Sequence, residues 1–250
     1  MAVAGYGDSV EGLHAVEAAL EAGRVLELFF ERRHQEGDDS LVDRARLRGV
    51  KVRPVDDVRP QARTTAPQGV VARCRPIGFV SLEDLVEEAS PASLIMIDHV
   101  EDPHNVGAIV RSAVAAGIPR VVVPERRSAP VGAAAFKAAA GALERCRVAS
   151  VSSIADAVGR CKRLDVWTVG LDADGDQSLF GLDLLTAPVA VVVGGETGLH
   201  RLVRERVDVV ASIPMAEGTE SLNASVAAAL ALFEVARLRT QGSGGSPRSI

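Results

Sequence analysis

"SLIMIDHVEDPHNVGAIVRSAVAAG" (residues 93–117) decides the fold class. It opens with a continuous apolar run, Leu94–Asp98, passes through a polar loop stiffened by Pro103, and settles into helical apolar spacing from about residue 105. The pattern recurs downstream. "RVVVP" (120–124), "DVWTVGL" (165–171), "VAVVVG" (189–194) and "VVASIP" (209–214) are short apolar runs, and helical patterns occupy about 131–143, 153–163, 199–206 and 222–239. Strands apolar on both faces and separated by helices make a parallel sheet between helical layers. The expected class is therefore α/β. Ligands in such sheets bind where loops leave the carboxyl ends of strands. Loops with unusual residues follow Asp98, Val193 and Pro214.

Upstream lies a smaller α/β unit. Residues 9–22 have helical spacing with Ser9 as a possible cap, "VLELFF" (25–30) reads as a strand, and "LVDRARLRG" (41–49) as a helix ending at Gly49. "VKVRP" (50–54) and "GVVARC" (69–74) read as strands flanking a Pro-containing loop. The resulting division is 1–75 for the N-terminal domain, 76–92 for a connector with a short helix at 82–89, 93–241 for the main domain and 242–250 for a flexible polar tail.

The 250 residues allow one large domain, or one medium and one small. Apolar residues make up 47% but aromatics only 3%, so Ala, Val, Leu and Ile must build the core. A net charge of −5 excludes a uniformly basic polyanion binder. Residues 43–75 nevertheless hold nine Lys/Arg against three Asp, a local balance of +6. That patch is either a phosphate-contacting surface or simply a solvated one. Cys74, Cys146 and Cys161 lack C-x-x-C spacing, which points to reduced, mostly buried thiols and a cytoplasmic location. No apolar run approaches the roughly 20 residues of a membrane span, and no signal peptide is apparent. In that compartment the sequon Asn223-Ala224-Ser225 carries no meaning.

In the first loop, Asn105 is placed to cap the helix and Arg111 follows six residues on. Asp98, His99, Asp102 and His104 crowd there, but no second cluster has ligand spacing, and no metal is expected. The second loop, "VVVGGETGLHRL" (191–202), is neither G-x-G-x-x-G nor a P-loop. Its glycines suit close backbone approach to a ligand, and Glu196 reads as a general base, an orienting group or a surface charge. In the third, "IPMAEGTESLNASVAAALALFE" (213–234), Ser221 or Asn223 can cap a helix apolar on nearly every face, which predicts burial all round.

"NVGAIVRSA", "VVGGETG" and the 213–234 stretch together resemble the three motifs of the TrmH (SpoU) branch of the SPOUT RNA methyltransferases. "YGDSVEGLHAVEAAL", "APQGVVARC" and "VPERRSAPVGAAAFKAAAGALE" resemble the RlmB-type subgroup, whose members modify a guanosine ribose in large-subunit rRNA. The resemblance implies a C-terminal SPOUT domain with a deep trefoil knot, S-adenosylmethionine held in the knot, a homodimer and an N-terminal RNA substrate-binding domain. It implies catalytic roles for Arg111, Asn105, Glu196, Ser221 and Asn223, and cofactor contacts at Gly194, Gly195, Ile213 and Leu222. The second-motif loop is one residue shorter than the family pattern. Transfer of an activated methyl needs alignment and proton removal rather than a metal. Arg111 acts there as proton acceptor or as phosphate anchor, the second being easier for a guanidinium. Arg44, Arg46, Arg48, Arg63 and Arg73 are candidate RNA contacts. A tRNA substrate, or an RNA-binding ribosome-assembly protein without turnover, are the alternatives.

Overall fold

The computed structural model describes residues 5–32, 39–126, 128–218 and 221–242. Two sheets organise it. In the N-terminal part β1 (Ser9–Glu11), α1 (Leu13–Glu21), β2 (Val25–Glu31), α2 (Asp39–Leu47), β3 (Lys51–Val55) and β4 (Val70–Cys74) form a four-stranded sheet of order β1-β4-β2-β3. The β2–β3 pair is parallel and the pairs of β4 are antiparallel.

The helix expected from residue 9 starts later. Ser9–Glu11 pair with Val71–Arg73 instead, so Ser9 is a buried strand residue and caps nothing. Gly12, at φ 85°, turns the chain into α1.

The rest of the chain contains α3 (Leu82–Glu87), which falls in the expected connector yet packs into the core of the larger sheet, and then β5 (Ser93–Asp98), α4 (Pro103–Ala115), β6 (Arg120–Pro124), α5 (Ala133–Ala138), β7 (Arg147–Val151), α6 (Ile154–Arg163), β8 (Trp167–Leu171), β9 (Gln177–Ser178), β10 (Val189–Gly194), α7 (Arg201–Arg206), β11 (Val209–Ser212) and α8 (Ala224–Gly242). Its seven strands run parallel in the order β7-β6-β5-β10-β8-β11-β9. Alternate residues serve two cores. Ile95, Ile97, Val121, Val191 and Val193 belong to the apolar core that includes residues of α4, α5 and α8. Leu94, Met96, Val122, Ala190 and Val192 belong to the other, with residues of α3, α6 and α7. That double burial is why the strands are apolar at every position.

Three further expectations change. β7 and β9 carry too many polar residues to show as apolar runs. The helix expected over 131–143 ends at Ala138, because Ala140 (φ 47°) and Gly141 (φ 85°) reverse the chain before a 3-10 turn. α8 is not buried all round: Ala228, Ala231, Leu232 and Val235 are buried, while Val226, Leu230 and Phe233 form an exposed stripe at i, i+4, i+7. Arg239 anchors α8 at the start of β5, donating to the carbonyls of Pro91, Ala92, Leu185 and Ala187. The tail from residue 243 onward lies outside the described residues.

The two parts meet through buried groups. The rings of Tyr6 and Phe136 are 6.1 Å apart, and Gly7 leaves no room for a Cβ beside Phe136. Arg24 forms a two-point ion pair with Glu144, whose side chain is 3% exposed. Glu144→Ala would strand the Arg24 charge in that interface, where losing one partner costs about 3–5 kcal/mol. A correspondingly lower urea midpoint for the full chain is expected; an unchanged midpoint would show that the pair adds nothing.

Candidate active site

The loops that follow β5, β10 and β11 converge at the carboxyl edge of the sheet, as their strand positions require. A cavity of about 300 Å³ opens there, walled by Leu171, Val193, Ala211, Ile213, Leu222 and Ala227. Gly194–Gly198 form its rim, and all four cofactor candidates, Gly194, Gly195, Ile213 and Leu222, line it.

The glycines are required by packing. A Cβ on Gly194 would strike the Gly198 carbonyl, and one on Gly195 the His99 carbonyl. The Gly198 amide closes a turn onto the Gly195 carbonyl at 3.0 Å, with Gly198 at φ 77°. This tight turn, Gly195-Glu196-Thr197-Gly198, is the form the short second loop takes.

A second cavity, about 180 Å³, adjoins the first. Val100, Glu101, Asp102, Asn105 and Asn223 line it, and it shares Gly195, Glu196, Ser221, Leu222 and Ala224 with the first. Four of the five catalytic candidates therefore meet at one boundary: Asn105 and Asn223 on one side, Glu196 and Ser221 on both. Asn223 Nδ2 donates to Asn105 Oδ1 at 3.1 Å, tying the third loop to the first.

Capping differs from the expectation for Asn105. Asp102 caps α4 by accepting from the His104 amide at 2.9 Å, with Pro103 in the first turn, so Asn105 lies inside the helix and its side chain is free for the site. Asn223, rather than Ser221, caps α8: its Oδ1 accepts from the amide and hydroxyl of Ser225. Asn223 thus caps with one end of its amide and reaches Asn105 with the other.

Arg111 is exposed on α4 and lines neither cavity. Six residues on a helix amount to roughly 600° of rotation, so it points well away from Asn105.

Two carboxylates of the site carry no signal in the sequence that separates them from other loop acids. Asp98, fully buried at the end of β5, accepts from His99 Nδ1 at 2.6 Å and from the His200 amide at 2.8 Å. It joins the first loop to the second, and the His99 and His200 rings stack 5.2 Å apart. Asp172, after β8, lines the first cavity. Among the described residues no group of three or more His, Cys, Asp or Glu could hold a metal ion.

The N-terminal arginines are more neutralised than their segment suggests. Arg44 pairs with Glu17, Arg63 with Asp8, Arg73 with Glu27 and Arg46 with Asp43. Glu17, Asp8 and Glu27 lie outside residues 43–75, so a sequence window could not count them. Arg48 is exposed, with no ion pair among the described residues. The three cysteines are free and buried, and burial pushes each thiol up to about 12. No helix among the described residues is long and apolar enough to cross a membrane.

A family model described as the SpoU rRNA Methylase family matches residues 92–233, and one for RNA 2'-O ribose methyltransferase substrate binding matches residues 9–80. The chain is 40% identical over 246 residues to the 23S rRNA (guanosine-2'-O-)-methyltransferase RlmB of Xylella fastidiosa, covering 92% of this chain and 96% of that one. An uncharacterized tRNA/rRNA methyltransferase of Mycolicibacterium vanbaalenii is 39% identical over 240 residues, covering 92% and 76%. Among solved structures, the SpoU methyltransferase AviRb from Streptomyces viridochromogenes in complex with AdoMet superposes with a TM-score of 0.76 at 27% identity, covering 94% and 91%. The AdoMet-bound rRNA methyltransferase from Sinorhizobium meliloti gives 0.73 at 26%, covering 92% and 86%.

The cavity makes a direct demand on residue size. Gly195→Ala would drive the second loop off the His99 carbonyl and reshape the rim. The expected result is at least tenfold weaker binding of S-adenosylhomocysteine by calorimetry in a folded protein; unaltered affinity would show that the rim does not contact the ligand.

Proposed function

The chain belongs to the SpoU rRNA methylase family, and from that membership we propose that it methylates a ribose 2'-hydroxyl of a guanosine in 23S rRNA, with S-adenosylmethionine as donor. The observation that carries this reading is the pair of adjoining cavities, one apolar and glycine-rimmed, the other lined by polar candidates, sharing Glu196 and Ser221. The first fits the cofactor in kind: apolar walls suit an adenine, and exposed backbone at the rim suits polar groups. Its volume sits at the small end of ligand cavities, roughly 300 Å³ and upward.

Bound S-adenosylmethionine supplies a methyl already activated on a sulfonium. The chain's residues then have two tasks, alignment and proton handling. Gly194, Gly195, Ile213 and Leu222 hold the cofactor, largely by backbone and apolar contact. Asn105 and Asn223, locked to each other, present amide groups to the ribose. Glu196 and Ser221 stand at the boundary that the methyl must cross, where they orient the hydroxyl.

Arg111 is the cation of the reading. Among the described residues both cavities are lined by acids and by no basic side chain, so a substrate phosphate needs a cation from elsewhere. A homodimer packed through α4 and the exposed Val226–Leu230–Phe233 stripe would give Arg111 a site on a second copy. There it grips the phosphate and polarises the hydroxyl, roles that suit a permanently charged planar fork. Leu230→Glu with Phe233→Glu is expected to yield monomers in light scattering and to remove activity; a dimer of unchanged mass would move the interface elsewhere.

The N-terminal domain serves substrate choice, since a ribose-phosphate looks alike at every nucleotide and selection needs RNA shape or unpaired bases. Arg48 is the most available of the candidate RNA contacts, with Arg44, Arg46, Arg63 and Arg73 exchanging carboxylate partners for phosphates. The deep trefoil knot belongs to the same reading. It is supported by α8, which follows the edge-side strand β11 yet packs against α4 and β10. The site of action is the cytoplasm, where rRNA is made and modified.

A strain lacking the gene should lose one guanosine 2'-O-methyl group in 23S rRNA. The intact gene should restore it, and Arg111→Lys should restore little of it while keeping RNA affinity. A full 23S pattern in the deletion strain, or a loss seen in tRNA instead, would overturn the assignment.

A further inference from the structure

We propose that Asp172 is a cofactor-binding residue, its free carboxylate oxygen accepting a hydrogen bond from a donor group of S-adenosylmethionine; this rests on the cofactor assignment above. Asp172 is the first residue after β8, and its amide is held by the Ala211 carbonyl at 3.1 Å. One carboxylate oxygen, Oδ1, is fully engaged: it takes Arg204 Nη1 at 2.6 Å and the Asp174 amide at 3.1 Å. Arg204 in turn donates to the Asp174 carbonyl. The side chain is therefore fixed from α7 and from its own loop, and it is only 16% exposed.

The other oxygen, Oδ2, has a different setting. It lies beside Gly198, 3.5 Å from where a Cβ would stand, and both residues line the first cavity. No hydrogen bond among the described residues uses it. A carboxylate anchored through one oxygen and open through the other is a prepared acceptor.

The charge of the lining supports the same ligand. Among the described residues, Asp172 and Glu196 are its two ionisable side chains, and no Lys, Arg or His lines it. S-adenosylmethionine carries a sulfonium and an ammonium against one carboxylate. Asp172 is absent from the second cavity, which places it away from the transfer boundary, so its role is binding and not proton handling. The donor group is then either the ammonium of the amino-acid end or a ribose hydroxyl.

Calorimetry on the full chain distinguishes these. The probes are S-adenosylhomocysteine, which has both groups, and 5'-methylthioadenosine, which has the ribose alone. Asp172→Asn and Asp172→Ala should weaken S-adenosylhomocysteine about tenfold or more. Equal weakening of methylthioadenosine assigns the ribose hydroxyl; unchanged methylthioadenosine binding assigns the ammonium. Arg204→Gln, which frees the carboxylate without removing it, should give a smaller loss and serves as a second variant if Asp172→Ala fails to fold. Wild-type affinity for both probes in the folded Asp172 variants would overturn the proposal. Failure of the wild-type chain to bind either probe would instead remove the cofactor assignment beneath it.

Discussion

A single buried carboxylate holds the site in register. Asp98 stands at the end of β5, the strand next to β10 near the middle of the sheet, with both oxygens bonded. One bond fixes the His99 ring and the other the His200 amide at the entrance to α7. Burying a carboxylate is costly unless its hydrogen bonds are made. Two bonds to groups on different loops mean that neither loop can move without exposing that cost. The glycine rim follows from this constraint, because Gly195 must pass against the His99 backbone that the same cluster positions. The boundary between the cavities then forms where the third loop arrives, joined by the Asn105–Asn223 bond.

The sheet was legible because each central strand is buried on both faces. Ile95 and Met96 look alike in sequence although they serve opposite cores, and their uninterrupted hydrophobicity is the signal. The polar strands β7 and β9 gave no such signal. Helix starts were harder to read, since capping depends on local backbone geometry. Asp102 and Asn105 are both reasonable caps by composition, and Pro103 between them decides for Asp102. Ser9 followed the rule for a cap and lost to the strand pairing offered by β4, a partner more than sixty residues away.

The candidate site was legible as motifs and only partly as geometry. Asn105, Glu196, Ser221 and Asn223 converge, whereas Arg111 stands apart on α4. Spacing along one chain does not say which way a helical side chain faces, and Arg111 faces away from both cavities. Asp98 and Asp172 were hidden for a related reason: an acid in a polar loop becomes distinctive only when its burial and partners are known. Charge was legible least of all. The arginines of residues 43–75 look unopposed until the fold brings Asp8, Glu17 and Glu27 against them.

The buried junction of Tyr6, Phe136, Arg24 and Glu144 has a consequence for selectivity. Domains joined only by a tether search a wide range of separations, but domains locked by a desolvated ion pair and packed aromatics keep one. Under the proposed function, the N-terminal sheet and the boundary between the two cavities are the fixed jaws of a caliper. For an RNA that must touch both, the distance and angle between a recognised fold and a target ribose become the quantity being measured. On that function, a nucleotide of the right identity at the wrong offset would be refused without any contact to its base.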